Sequence, residues 1–484
     1  MTDDRVERGQ QALGARTWLA LGAIVLGVFL IANDFTALSV AIPSIERELH
    51  TSVSRAQWVI SGYALVFGVL IVTGGRLADL FGRKRAFLAG AAIFGLFSLL
   101  SGLAPTLTLL IVFRALMGVG GALMWPAALG LGYAVLPPAK KALAGGLILG
   151  VSGLGNAAGP LLGGWLTDAA SWRLVFFINV SITVVAMLVI LRLVPESGGD
   201  AAERSIDYRG VALISAGAVA VLLALDLGTG GGGFGRPPIL LLLAAGLALI
   251  AAFFVVERRQ GEAALLPNSV LRNRVFTASC LAVLFMSPTF FAAVLFLPQL
   301  MQKQLGFTAL LSGAGLLPLM GAFALTSFVA GPLYGRIGPK VAVSVGAALL
   351  VGGIFLLSGV SGGSTYTSLV AGMIVLGAGV GLFFSSVITV AITALDPSQS
   401  SLAGGIMYMC QVAGGAIGLG LNTVIVLAGS TLADGMRTAF RVDAVLGLVA
   451  LGICIAFVHG PSHSEAHAAA PVLHHRALTH RVRA

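Results

Sequence analysis

GRLADLFGRK (Gly75–Lys84) returns 256 positions later as GPLYGRIGPK (Gly331–Lys340). Glycine, leucine, glycine and lysine fall at identical spacing in the two copies. A second echo goes with it. AIPSIERELHTS (Ala41–Ser52) and FLPQLMQKQLGFT (Phe296–Thr308) set a proline and then a leucine at nearly the same offset. Each copy lies among apolar runs of the roughly 20 residues that a bilayer crossing takes. Two matches in register point to two copies of one membrane-embedded helical unit, in the same orientation.

The composition agrees. Of 484 residues, 57% are hydrophobic and only 10% charged, and mean hydropathy is +0.99. A soluble chain would carry about a quarter charged residues. Sixty-five glycines suit helices that pack closely in lipid. The net charge of +10 comes with no basic, aromatic-interleaved face, so nucleic acid is not expected as a partner. Cys280, Cys410 and Cys454 all lie in apolar runs and read as small core residues, neither a disulfide framework nor a metal site. The N-terminus MTDDRVERGQQALGARTW is polar and of mixed charge, unlike a cleavable signal peptide.

Apolar runs predict fourteen spans, the first near 17–43 and the last near 440–459. The repeat divides them into a six-helix half over 17–194, two inserted helices within 195–260, and a second six-helix half over 261–459. Residues 1–16 and 460–484 form tails. With both termini on one side, that side holds 21 of the 29 basic residues. The opposite side has Arg47, Arg55, Arg173, Arg236, Lys303, Arg437 and Arg441, and Arg114 is left inside a span. Positive charge marks the cytoplasm, so both termini are expected there, in a cell (inner) membrane.

In GGRLADLFGRKRAFL, Gly75 allows tight helix packing and Gly82 a sharp turn, while Asp79 sits among Arg76, Arg83, Lys84 and Arg85. Three consecutive cations alone would be a positive-inside anchor. The aspartate and glycines go beyond that, and the segment closely resembles the signature loop of the major facilitator superfamily, G-x-L-a-D-r-x-G-r-k. Other segments resemble the superfamily's drug:proton antiporters with fourteen spans. NDFTALSVAIP is similar to their first-helix motif, and LIVFRALMGVGGAL to the fourth-helix motif with its central arginine, here Arg114. LGVSGLGNAAGPLLGGWL resembles the fifth-helix antiporter motif, and SWRLVFFINV the stretch that opens the sixth helix. The resemblance spans about residues 17–458. It implies an all-α major facilitator fold, a conformational-switch loop at Gly75, Asp79, Gly82, Arg83 and Lys84, and alternating access at a midplane site.

In the antiporter motif, Gly155, Gly159 and Gly163 recur every four residues and share one helix face. Such a stripe admits a close neighbour, Pro160 bends the helix, Gly164 extends the small-residue run and Asn156 is placed to hydrogen-bond across the gap. In the resembled family the kinked stripe is thought to seal the two halves and favour exchange over uptake. GLGNAAG also fits a loose dinucleotide-binding pattern, but no strand precedes it and it lies within a span.

Asp34 and Arg114 fall at similar depth in the outer half of the membrane, by about 1.5 Å per helical residue. Intramembrane ionisable groups face the bundle interior and find partners. Desolvation favours the neutral acid and a nearby cation the carboxylate, so Asp34 is expected to titrate as the proton-coupling group with Arg114. A permanent structural pair is the alternative. By the repeat, Asp34 aligns with Thr289 or Phe290, Arg114 with about Met373 and Asp79 with Gly335, so the second half is expected to lack these charges. Asp226 and Asp443 are the rival acids, read as interfacial at the outer ends of their spans.

For substrate contact the chain offers Trp58, Tyr63, Trp125, Phe290, Phe291, Tyr408 and Gln411 among its aromatic and polarizable side chains. An acid in the cavity would favour lipophilic cations. The tail histidines His463 and His467 are expected in a disordered segment, with no metal or other cofactor implied. No G-x-x-x-x-G-K-[ST] loop occurs, so ATP does not drive the cycle directly. The expectation is a monomeric exporter, not an enzyme, that exchanges inward-moving protons for amphipathic, cationic drugs. A dedicated exporter of one metabolite or self-made antibiotic is the first alternative, and a non-transporting membrane sensor on the same fold the second.

Overall fold

A backbone inside lipid must satisfy its own polar groups, and the helix does so within one segment. The computed structural model describes residues 14–136, 141–195, 208–229, 236–260, 270, 272–395 and 400–458. They form fifteen helices, and no strand occurs among the described residues. The first half holds α1 (Ala15–Glu48), α2 (Val53–Phe81), α3 (Arg83–Gly102), α4 (Leu107–Val135), α5 (Lys141–Ala169) and α6 (Leu174–Leu193). Then come α7 (Tyr208–Thr229) and α8 (Pro237–Gln260). The second half holds α9 (Arg274–Lys303), α10 (Ala309–Gly315), α11 (Leu317–Ile337), α12 (Pro339–Leu357), α13 (Tyr366–Thr393), α14 (Ser400–Ala428) and α15 (Leu432–Phe457). The His-rich tail with His463 and His467 lies outside the described residues, as do the side chains of Arg76, Asp79 and Asp226.

Twelve of these units are long and apolar enough to cross a membrane, α10 and α11 counting as one. Fourteen were expected. The other two expected spans correspond to α5 and α7, of which α7 shows the shorter apolar stretch Ala212–Leu225 among the described residues.

The repeat holds in three dimensions. α1 packs on α5, α6 and α4, as α9 packs on α14, α15 and α13. α2 lies along α4 as α11 lies along α13, and α3 bridges α4 and α6 as α12 bridges α13 and α15. The halves meet at two equivalent seams, α2 on α14 and α5 on α10 and α11. α7 and α8 pair with each other, and α7 lies over the first seam against α2 and α14. At the junctions α2–α3 and α11–α12, Gly82 and Gly338 take φ of 97° and 81°. Side-chain-bearing residues avoid that region, so one glycine lets consecutive helices abut with no other linker residue.

Three boundaries differ from expectation, each for a local reason. α1 does not stop at Pro43 but continues to Glu48, because the missing N–H of the proline costs only the one helical bond to the Ser39 carbonyl. The tenth span breaks at Leu316, where Pro318 enters the first turn of α11. α15 begins at Leu432, not near 440. Thr431 caps it by accepting from Asp434 N (3.2 Å), so its polar first turns stay helical. That shift takes Asp443 from the end of its helix to roughly 16 Å inside it.

The end of the bundle carrying the α1–α2 and α9–α10 connections is the far face, and the end carrying the start of α1 is the terminal face.

Candidate functional site

Asp34 and Arg114 meet. Both side chains are fully buried, and Arg114 Nη1 donates to Asp34 Oδ2 in an ion pair. Asn179 Nδ2 of α6 donates to the other carboxylate oxygen (3.1 Å), and Arg114 Nε donates to the Val59 carbonyl of α2 (2.9 Å). The guanidinium lies 4.3 Å over the Tyr63 ring and 5.7 Å over that of Phe176. Four helices of the first half therefore build one polar site in an apolar interior. It is not fully satisfied: Arg114 Nη2, Tyr63 Oη and Asn179 Oδ1 have no hydrogen-bond partner among the described residues. Such unmade bonds at low dielectric are costly. Sequence reasoning missed Asn179, although it lies within the sixth-helix motif. An asparagine in a span is the signal that marks it.

The glycine stripe faces α1, not the other half. A side chain on Gly155 would meet the Phe29 carbonyl at 2.8 Å; on Gly159 it would strike Thr36 Oγ1, and on Gly163 the Ala37 carbonyl. Contact with the second half comes instead from Pro160, whose carbonyl abuts Gly313, and from Gly164, whose Cβ site is 2.5 Å from the Ala309 carbonyl of α10. Asn156 does not bridge a gap by its side chain, which donates to Ser152 O in its own helix (3.1 Å). Its carbonyl makes the bridge. Pro160 has no N–H, so the Asn156 carbonyl four residues back loses its helical donor, and Thr36 Oγ1 donates to it at 2.9 Å. The stripe recurs in the second half. Gly414 meets the Leu284 carbonyl and Gly418 meets Pro288, so α14 docks on α9 as α5 docks on α1.

In the signature loop, tight packing falls to Gly74, whose Cβ site strikes the Ala122 carbonyl of α4, while at Gly75 the nearest atom is Pro126 Cβ at an ordinary 3.4 Å. The Ala122 carbonyl is itself freed by Pro126. Arg83 lies across Gly130 of α4 and donates to its carbonyl (3.4 Å). Lys84 Nζ donates to the Leu191 carbonyl in the last turn of α6 (3.0 Å), where the helix dipole favours a cation.

A cavity of about 70 Å³ lies between the halves. The first half contributes Phe35, Thr36, Ser39, Ile60 and Asn156, and the second Phe290, Phe291, Phe323, Phe384, Tyr408 and Gln411. Of the residues expected to touch substrate, Phe290, Phe291, Tyr408 and Gln411 line it. Trp125 stacks behind Tyr408 (4.7 Å), Tyr63 sits on Arg114, and Trp58 does not line it. Asp34 does not line it either: among the described residues the wall carries no carboxylate, contrary to the acid expected in the cavity. Aromatic contacts join the two sites. Phe35 meets Tyr63 edge-on (4.9 Å) and Phe291 (6.5 Å), and Phe67 lies 5.9 Å from Tyr63 and 5.7 Å from Tyr408.

Toward the far face, polar contacts tie the halves. Lys303 pairs with Glu46 (2.7 Å), and Gln302 Nε2 donates to Val40 O (2.9 Å). The backbone N–H groups of Ala309 and Leu310, at the start of α10, donate to Asp168 (3.2 and 2.7 Å). Thr423 Oγ1 of α14 donates to Gln57 Oε1 of α2. Beside them, Glu48 accepts from Trp172 Nε1 (2.6 Å) and pairs with Arg173, whose guanidinium also covers the Trp172 ring at 4.2 Å.

Asp443 corrects another expectation. It is 1% exposed, and Asn422 Nδ2 of α14 donates to both its oxygens (3.1 and 2.9 Å). It is not interfacial, and the second half does keep a buried charge-bearing group.

The model of the Major Facilitator Superfamily matches residues 24–419 and 321–482. The tetracenomycin C resistance and export protein of Streptomyces glaucescens is 31% identical over 85% of this chain and 76% of its own length. The puromycin resistance protein of Streptomyces alboniger is 35% identical, over 89% and 86%, and the multidrug resistance protein Stp of Mycobacterium tuberculosis is 33% identical, over 83% and 74%. Among solved structures, the peptide transporter POT superposes with a TM-score of 0.66 at 17% identity, over 90% of this chain and 94% of that one. The nucleoside transporter NupG gives 0.64 at 13%, over 91% and 100%. With its paired six-helix halves, its abutting helices at Gly82 and Gly338, and these relatives, the chain belongs to the major facilitator superfamily, among its drug-efflux transporters.

Proposed function

We propose that the protein exports amphipathic, aromatic-bearing small molecules in exchange for protons moving inward, with Asp34 and Arg114 as the coupling pair. The observation that carries this is the buried Asp34–Arg114–Asn179 site, set behind the cavity and joined to it by Phe35, Tyr63 and Phe67. A proton on Asp34 removes the negative partner of Arg114 and leaves a cation buried among aromatic rings. Breaking a buried pair costs about 3–5 kcal/mol, enough to bias a two-state rearrangement. Drug in the cavity presses on Phe35, Phe291 and Tyr408 and so acts on the same cluster. Proton and drug thus compete through packing, not through one shared carboxylate.

The cavity wall tempers the substrate class. Cations would be held by aromatic faces and the Gln411 amide, not by an acid, so neutral and weakly basic polycyclic compounds fit equally well. Hydrogen bonds and an ion pair at the far face, with the terminal face cytoplasmic, suit the inward-directed stage of a monomeric alternating-access carrier in the cell membrane. The signature loop, anchored by Arg83 and Lys84 to α4 and α6, would carry the switch, with Asp79 as its acid. Dedicated export of one compound is the second reading, favoured by relatives named for tetracenomycin C and puromycin. A substrate panel separates the two, since a dedicated exporter would move one scaffold.

The test is Asp34→Asn in proteoliposomes at matched protein levels, with puromycin and ethidium movement followed under an imposed pH gradient and a protonophore control. Loss of gradient-driven movement with binding retained is expected. Transport equal to wild type would refute the coupling role of Asp34.

A further inference from the structure

The two halves correspond residue by residue, and that correspondence locates Asp443. Pro43 and Pro298 lie inside α1 and α9, and Phe35 and Phe290 both line the cavity, so Asp34 corresponds to Thr289. The Gly95 Cβ site of α3 lies 3.3 Å from Thr183 of α6. Its repeat mate Val351 of α12 lies 2.8 Å from the Cβ site of Gly447 in α15. Thr183 therefore corresponds to Gly447 and, one turn earlier, Asn179 to Asp443. The second half has rebuilt the Asp34 site with Thr289 for Asp34, Met373 for Arg114 and Asp443 for Asn179, all of them buried. The acid is kept on the sixth helix of the half. The arginine is not.

Among the described residues, no cation is in a position to replace it. α15 packs on α9, α12 and α14, whose charged residues are Arg274, Lys303 and Lys340, all at helix ends. On α15 itself, Arg437 is engaged by Val360 O and Asp434, and Arg441 is exposed. The other titratable groups on these helices, Cys280, Tyr408, Cys410 and Cys454, stand roughly 13 Å or more along their helices from the level of Asp443. A carboxylate held by one amide and no cation is strongly disfavoured in such a place, whereas the neutral acid is tolerated. The Asn422 Oδ1 atom, buried and without a partner among the described residues, is an acceptor that a carboxylic O–H can use once the amide turns. The neighbouring Thr423 bonds Gln57 across the α2–α14 seam, so the site borders the far-face closure.

We propose that Asp443 is a second protonation site, whose carboxylate must take a proton from far-side water before the far face can close over it. The carboxylate oxygen pair binds one proton to give the neutral acid, which α14 buries as Thr423 engages Gln57. This rests on the reading of the chain as a proton-coupled exporter, though it assigns a different acid in the other half.

The test is infrared titration of the full-length protein in lipid vesicles, without substrate, following the C=O stretch of a protonated carboxylic acid. The band is expected at neutral pH in wild type and in Asp34→Asn, absent in Asp443→Asn, and shifted in Asp443→Glu and Asn422→Ala. The last two also serve if Asp443→Asn fails to fold. In parallel, spin labels at Pro105→Cys and Gly363→Cys, with the three native cysteines replaced by alanine, report the far face. Alkaline pH should lengthen this distance in wild type, while Asp443→Asn stays closed throughout. A band and a distance titration unchanged by Asp443→Asn overturn the proposal. Loss of the band in Asp34→Asn alone overturns it too, yet leaves the coupling role of Asp34 standing. Conversely, wild-type transport by Asp34→Asn, with the band lost only in Asp443→Asn, removes the coupling role of Asp34 and supports the second site.

Discussion

Thr36→Val should destabilise the protein because of a proline on another helix. Pro160 leaves the Asn156 carbonyl without its helical donor, and Thr36 Oγ1, 2.9 Å away on α1, supplies it. Valine keeps the shape and removes the donor. An unsatisfied buried acceptor costs about 1–3 kcal/mol. Thr36 is 2% exposed but lines the cavity, so the cost sits toward the low end of that range wherever cavity water reaches the carbonyl. In a Pro160→Ala background the new N–H bonds the same carbonyl, and loss of the hydroxyl then removes only an ordinary bond worth about 0.5–1.5 kcal/mol. The cycle should show a coupling of about 1 kcal/mol, above the roughly 0.3–0.5 kcal/mol within which independent sites add. Reversible unfolding of the four proteins in mixed micelles, read by tryptophan fluorescence, gives each value. Equal cost of Thr36→Val in both backgrounds would refute the reasoning. The same contact makes Gly159→Ala destructive, since its methyl would take the place of the hydroxyl. Overpacking alone costs about 1–3 kcal/mol there. Gly153→Ala on the same helix meets nothing within 4 Å and should gain about 0.5–1 kcal/mol from helix propensity.

Gly82→Ala and Gly338→Ala should each cost about 1–3 kcal/mol, since alanine must take a positive φ with an extended ψ at both junctions. Similar shifts in unfolding midpoint support equivalence of the two repeats, and a shift at one site only would count against it. Trp172→Phe keeps the ring under Arg173 but removes the donor to Glu48. With Glu48 half exposed, the bond itself should contribute at or below about 1.5 kcal/mol, the low end for bonds to charged groups, read as the coupling between Trp172→Phe and Glu48→Gln because the buried indole also loses packing. A coupling above about 3 kcal/mol in the same unfolding assay, the top of that range, would show that the bond is not solvent-weakened.

The fold was legible because its carriers are local. Apolar runs set the helices, and the Gly82 and Gly338 spacing set the repeat. Asp34 and Arg114 were legible as partners because charges in lipid have few alternatives. What escaped was direction. The glycine spacing gives a shared face but not its neighbour, and the stripe turned out to pack within its half on α1. Asp443 was misplaced because the apolar run starts near 440, whereas the Thr431 cap begins α15 at Leu432. The second stripe, Gly414 and Gly418, was hidden because Asn422 stands where a third glycine would fall.

Direction also explains the short motif Asp34-Phe35-Thr36. Successive helical residues turn by about 100°, so three in a row face three different neighbours. Asp34 meets α4 and α6 through Arg114 and Asn179, Phe35 meets the cavity and the aromatic cluster, and Thr36 meets the broken backbone of α5. α1 cannot rotate or slide to improve one contact without loosening the others. A change of charge at Asp34, a ligand against Phe35 and a shift of α5 at Pro160 therefore act on one rigid element. If Asp34 is the coupling group proposed above, its separation from the cavity would leave the wall free to accept varied chemistry, so substitutions at Phe291 or Gln411 should change which compounds move and leave the dependence on the pH gradient intact.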